Sequence, residues 1–186
     1  MRGRPQKDLL TIIVPAYNER GTLKTIVARV VAADLPVPRL EILLVDDGSN
    51  DGTGELCDQI ALRPDKALAK DLSCLGVKSP KTALRGVEIR SLHHERNRGK
   101  SAAVRTAIEA ARGAVTLIQD ADLEYDPADL PRLLEPILAG RADVVFGTRF
   151  QGPSRRVLYF WHTVGNRVLT TLSNALFDLN LTDVEC

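Results

Sequence analysis

Five short strand-like runs punctuate the chain, at residues 9–14, 40–45, 87–92, 114–118 and 142–146, the first two of them apolar almost throughout, and between them apolar residues fall mostly at helical spacing. Runs of this length suit strands buried on both faces of a parallel sheet, which read as near-continuous apolar stretches. The first is closed by Pro15 and followed by Leu23, Ile26, Val27, Val30 and Val31 along one helical face. The second leads through residues 46–53, rich in turn formers and helix caps, to Leu56, Cys57 and Ile60. A helix is expected over 101–112, with Val104, Ala107, Ile108 and Ala111 inward and Gly113 closing it. Another is expected over 127–139, with Leu130, Leu133, Leu134, Ile137 and Leu138 inward. Strands alternating with helices give an α/β chain with a mostly parallel, Rossmann-like central sheet flanked by helices.

At 186 residues the chain suits one such domain, and residues 1–186 are read as a single unit. Residues 63–86 mix Pro, Lys, Asp, Ser and Gly with weak periodicity and read as a surface insertion. A net charge of +1 supplies no overall basic field, which argues against nucleic acid as a partner. Cys57, Cys74 and Cys186 form neither a disulfide framework nor a zinc spacing, so a reducing, cytoplasmic setting is expected. The polar start lacks the pattern of a signal peptide, and no run of about 18 apolar residues offers a membrane-spanning helix.

Open parallel sheets bind ligands at the carboxyl ends of their strands, where crossover loops and helix N-termini meet. In this sequence those ends are acidic: Glu19 after the first run, Asp46 and Asp47 after the second, and Asp120, Asp122 and Glu124 after the fourth. Two carboxylates two residues apart can converge on one hard cation and its bound oxygens, although an isolated Asp-x-Asp also serves as a helix-capping loop. Lys100, after the Asn97-Arg98-Gly99 turn, opens a helix at a position suited either to an anion or to helix initiation alone. His93 and His94 are adjacent, would face opposite ways on a strand, and so do not share a metal; one is expected to be packed.

The segments Ile13-Val14-Pro15-Ala16-Tyr17-Asn18-Glu19, Val45-Asp46-Asp47-Gly48-Ser49, Asn97-Arg98-Gly99-Lys100, Asp120-Ala121-Asp122 and Gly147-Thr148-Arg149-Phe150 together resemble family 2 glycosyltransferases, in family order. More narrowly the chain resembles the branch that includes dolichyl-phosphate mannose synthases and bacterial polyprenyl-phosphate glucosyltransferases. The resemblance implies a GT-A fold in which Pro15, Ala16, Tyr17, Glu19, Val45 and Asp47 cradle a nucleoside. It implies that Asp120, Ala121 and Asp122 meet the ribose, metal and diphosphate, with Lys100 also on the donor side. Asp120, Asp122 and Glu124 are the implied ligands of Mg²⁺ or Mn²⁺, Glu124 standing where the family often has Gln. Arg149 matches a family arginine near the diphosphate, where a fixed guanidinium fork offsets charge on the leaving group.

The implied reaction moves mannose or glucose from a nucleotide sugar, GDP-mannose or UDP-glucose, to a polyprenyl phosphate with inversion. A phosphate acceptor is already anionic near neutral pH and has less need of a general base than a sugar hydroxyl. The alternatives are transfer to a saccharide hydroxyl and a non-catalytic nucleotide-sugar-binding module. Residues 155–177 carry Trp161, Tyr159, Phe160 and apolar residues at helical spacing, interrupted by Arg155, Arg156 and Arg167. Alone, such a pattern favours ordinary packing; with the family resemblance it implies peripheral membrane contact on the cytoplasmic face. Relatives continue beyond Cys186, so a truncated C-terminus is expected.

Overall fold

The computed structural model of the chain describes residues 6–147, 160–178 and 181. Residues 1–131 and 132–186 form two compact units. The first contains a four-stranded parallel sheet of order β3-β2-β1-β4, from β1 (Gln6–Ala16), β2 (Arg39–Asp46), β3 (Val87–His93) and β4 (Gly113–Ile118). The register aligns Ile13 with Leu43 and with Ile118, so three strands end at one edge. β1 and β2 are buried almost throughout, as their continuous apolar runs require.

Between β1 and β2 lies α1 (Leu23–Ala32), burying Leu23, Ile26, Val27, Val30 and Val31; α2 (Thr53–Leu62) then buries Leu56, Cys57 and Ile60. Residues 63–86, expected as a surface insertion, instead fold into α3 (Pro64–Ala67), α4 (Ala69–Cys74) and α5 (Pro80–Ala83), and contribute fully buried Leu68 and Leu72 to the core. Two leucines four apart secure one face of a segment too polar to read as core.

The helix α6 (Lys100–Ala110) buries Ala103 and Ala107 against Ile13, Leu43 and Val45. The expected inward face is therefore rotated: Ile108 is 40% exposed, and alanines meet the sheet. Small side chains let the helix lie close over β1 and β2, which brings its N-terminus to the strand ends. Right-handed crossovers put α1 and α2 on the opposite face of the sheet. The chain thus leaves β1 toward β2 on one side and returns through β4 on the other, which opens a crevice at the carboxyl edge.

A buried charge network ties the other end of the sheet. Glu41 is fully buried; it accepts from Thr11 Oγ1 at 2.7 Å, Arg112 Nε at 2.6 Å, the Arg112 backbone N–H at 3.0 Å and Arg90 at 2.9 Å. Burial alone would raise the Glu41 carboxyl, but these donors outweigh it and hold it below the ordinary glutamate range.

The stretch expected as one helix over 127–139 is a 3₁₀ turn (Pro127–Asp129) followed by α7 (Leu130–Leu138), which crosses the boundary between the units. Leu130 and Leu134 are buried as expected, but Leu138 is 48% exposed. In the second unit, residues 142–146 do not form the expected fifth strand. Val144 and Phe146 are exposed, and a strand needs a neighbouring ladder to satisfy its backbone. α8 (Phe160–Phe177) exposes Trp161, Val168, Leu172, Leu176 and Phe177 while burying Asn166 and Thr170. No helix among the described residues is long and apolar enough to cross a membrane.

Candidate active site

A cleft of about 300 Å³ opens at the carboxyl edge of the sheet. The end of β1 supplies Pro15, Ala16, Tyr17 and Glu19, the end of β2 supplies Asp47, and the loop after β4 supplies Asp120, Ala121 and Asp122. From α6 and the turn before it come Asn97, Gly99, Lys100 and Ala103. The cleft therefore gathers most of the residues expected at the site. Two expected members are elsewhere: Val45 is fully buried beneath α6, and Glu124 does not line the cleft. Arg149 lies outside the described residues.

The loops are cross-tied by side chains. Asn18, at φ 57, donates its backbone N–H to Ser49 Oγ at 2.9 Å, and its own Oδ1 accepts from the Asn50 backbone at 3.0 Å. Thr53 Oγ1 accepts from the Glu19 backbone at 2.9 Å, and Asp46 Oδ1 accepts from the Ser49 backbone at 3.1 Å. Asn and Asp at these places satisfy backbone donors that the turns leave open. On the far side of Asp46 stands His93, which also meets Asp58 at 2.8 Å. Burial would lower the His93 pKa, but Asp58 and then Asp46 raise it above the ordinary histidine value.

Asp47, 3% exposed, holds the turn that opens α6. Its carboxylate accepts from the Arg98 backbone at 3.0 Å and the Gly99 backbone at 2.7 Å, and His94 Nδ1 lies 2.6 Å away. His94 is the packed histidine of the adjacent pair, and its bond to Asp47 was not legible in the sequence; the only signal is its place just before the Asn97-Arg98-Gly99 turn.

Lys100 Nζ lies 2.7 Å from both oxygens of Asp120, with the lysine side chain 60% exposed. In the loop after β4, buried Gln119 donates to the carbonyls of Asp120 and Tyr125, both at 3.2 Å, which folds the loop back on itself. Leu123 takes φ 61, a left-handed conformation that costs a non-glycine residue about 1–2 kcal/mol, and Asp122 Oδ1 accepts from the Glu124 backbone at 2.9 Å. Glu124 thus anchors Asp122 through its main chain. Among the described residues no three His, Cys, Asp or Glu side chains form a ready cation cage. Two neighbouring carboxylates beside an open cleft still suit Mg²⁺ or Mn²⁺, which take one or two carboxylates and complete their shell with substrate phosphate and water.

The sequence model described as Glycosyl transferase family 2 matches residues 11–185. The chain belongs to glycosyl transferase family 2. It is 33% identical over 186 aligned residues to the polyprenol monophosphomannose synthase of Mycolicibacterium smegmatis, covering 97% of this chain and 60% of that protein. It is 32% identical over 133 residues to the undecaprenyl-phosphate 4-deoxy-4-formamido-L-arabinose transferase of Aeromonas hydrophila, covering 71% of this chain and 34% of that protein. To the dodecaprenyl-phosphate galacturonate synthase of Rhizobium johnstonii it is 30% identical over 141 residues, covering 75% and 36%. The chain thus spans between about a third and three-fifths of the length of these relatives. The crystal structure of S. aureus TarS superposes with a TM-score of 0.52 at 20% identity, over 83% of this chain and 23% of that one. The family and this likeness make the fold GT-A.

Proposed function

We propose that the chain is the donor-binding part of an enzyme that moves a hexosyl group, mannose or glucose, from a nucleotide diphosphate sugar to a polyprenyl phosphate with inversion. The observation that carries this reading is the convergence of Asp47, Lys100, Asp120 and Asp122 on one cleft at the carboxyl edge of the sheet. Three relatives named above differ in sugar, being named for mannose, an aminoarabinose derivative and galacturonate, yet all three names contain a polyprenyl acceptor. The lipid phosphate is therefore the more constant substrate, and the sugar the more variable one.

Within the cleft, Pro15, Ala16 and Tyr17 form the wall for the nucleoside, and Lys100 at the N-terminus of α6 faces the diphosphate with the helix dipole behind it. Asp122, with Asp120 beside it, would hold Mg²⁺ or Mn²⁺ against the diphosphate. Such a cation supplies Lewis-acid stabilisation of the departing nucleotide. Gln119 and the Glu124 backbone keep the two carboxylates in place before the donor arrives, so little reorganisation remains at the moment of reaction. Arg149 joins the diphosphate side in this reading. The exposed apolar residues of α8 support a peripheral contact of the acceptor end with the cytoplasmic surface of a membrane.

Transfer of labelled hexose from GDP-mannose or UDP-glucose with Mn²⁺, to polyprenyl phosphate in one arm and to saccharide acceptors in the other, tests the proposal. Product on the lipid phosphate supports it; product on the saccharide alone replaces the acceptor; and donor binding without either product, in the full-length protein, reduces the chain to a binding module.

A further inference from the structure

The hydrogen bonds around Asp47 bear on the base of the donor, given the nucleotide-sugar reading of the cleft. A carboxylate offers about four lone-pair positions, two on each oxygen. Oδ1 of Asp47 takes the Arg98 backbone N–H at 3.0 Å and faces His94 Nδ1 at 2.6 Å. Oδ2 takes the Gly99 backbone N–H at 2.7 Å and a longer share of the Arg98 N–H at 3.2 Å. The side chains of His94 and Asp47 are both 4% exposed, and His94 Nε2 lies 2.9 Å from Thr106 Oγ1 on α6, so the ring is held at both ends. A carboxylate facing a ring nitrogen acts as the acceptor, so Nδ1 is the donor to Asp47, while Nε2 pairs with the Thr106 hydroxyl. Oδ1 is thereby filled, and one acceptor position remains, on Oδ2.

We propose that the cleft takes a uridine-type rather than a guanosine-type donor, with His94 as the positioning residue that enforces the choice. A uracil edge presents one N–H between two carbonyls, which one acceptor satisfies. A guanine edge presents adjacent N1–H and N2–H₂ groups, which pair with a carboxylate only where both oxygens are open. With Oδ1 closed by His94, guanine leaves one donor without a partner at the buried end of the cleft, where the Asp47 and His94 side chains are both 4% exposed, and sites that leave a polar group unpaired discriminate against that ligand.

Calorimetric titration of the chain with UMP, UDP, GMP and GDP tests this directly. UDP should bind about tenfold tighter than GDP or more, the effect of one unpaired buried donor. His94→Leu opens Oδ1 and should narrow that ratio, whereas His94→Asn, whose amide nitrogen stands near the place of Nδ1, should retain it. A merely structural histidine would shift both nucleotides alike, and circular-dichroism melting checks that the variants are folded. GDP binding as tight as UDP, or tighter, overturns the inference and leaves the nucleotide-sugar reading intact. A ratio unmoved by His94→Leu removes His94 from the choice. Failure of all four nucleotides to bind overturns the nucleotide-sugar reading and the inference together.

Discussion

Lys100 Nζ stands 2.7 Å from each carboxylate oxygen of Asp120, so the first residue of α6 and the loop after β4 meet across the cleft through one ion pair. The ammonium occupies the side of Asp120 on which a divalent cation would compete. Lys100→Met is therefore expected to have two effects of opposite sign. Nucleoside diphosphate affinity should fall several-fold with the loss of a charge-assisted contact at a helix N-terminus. Mn²⁺ affinity without nucleotide should rise, because Asp120 is released. Electron paramagnetic resonance titration of Mn²⁺ beside calorimetry of UDP and GDP reads both; a fall in both affinities would show that Lys100 does not compete for Asp120.

Asp122 and Glu124 are expected to separate sharply. Glu124 is absent from the cleft lining and meets Asp122 through its backbone N–H, which a side-chain change leaves in place. Asp122→Asn should abolish the Mn²⁺-dependent part of donor binding, while Glu124→Gln should cost clearly less, because it leaves the backbone contact to Asp122 in place. Equal losses in the two variants would place Glu124 in the metal shell after all.

The difference between these two residues shows how far the sequence could be read. β1 and β2 were legible because strands inside a parallel sheet are apolar on both faces, whereas β3 and β4 lie at the sheet's edges, are only partly buried and carry a weaker signal. The convergence of Asp47, Asp120 and Asp122 on one cleft follows from their places at the carboxyl edge of the sheet. For Glu124 and Val45, which do not line the cleft, residue type and family position say nothing of whether a side chain or only a backbone reaches it. The face of α6 was misread because periodicity weights large residues such as Ile108, whereas close helix-to-sheet approach selects Ala103 and Ala107. The run 142–146 has strand composition, but a strand forms only where a partner ladder is present. His94 and Asp47 are 47 residues apart, and no local pattern records a contact that the sheet register creates.

Glu41 is expected to contribute to the acid limb of stability. Its folded pKa is depressed, so its contribution is complete above the unfolded value of about 4.3 and is lost as pH falls through the lower folded value. Glu41→Gln should flatten the decline in thermal stability below about pH 4. It should also destabilise the chain at neutral pH by about 1–3 kcal/mol, less than for a fully buried pair, because Arg90 and Arg112 lose their shared carboxylate but are partly solvated and Arg112 keeps Glu88. Melting curves of parent and variant across pH 3–8, the range spanning these carboxylate values, report both effects; parallel profiles would remove Glu41 from the acid response.

Gly48 connects the donor loop to the turn that Asp47 holds. It sits at φ +71, and a Cβ there would lie 2.5 Å from the Arg96 carbonyl carbon and 2.7 Å from the Asn97 backbone nitrogen. Those atoms are main chain and cannot swing aside as a flexible side chain does. Gly48→Ala therefore combines a left-handed backbone cost of about 1–2 kcal/mol with displacement of residues 96–97. That displacement pulls the Arg98 and Gly99 N–H groups away from Asp47, so the loss should appear in nucleotide binding as well as in melting temperature. Gly76 offers the control, since it also has a positive φ, of +80, but nothing lies within 4 Å of the position a Cβ would take there. Gly76→Ala should lower the melting temperature through backbone strain and leave UDP affinity unchanged. Calorimetry on the two variants separates strain from displacement: equal UDP affinities in both would mean that the Gly48 contact does not shape the cleft.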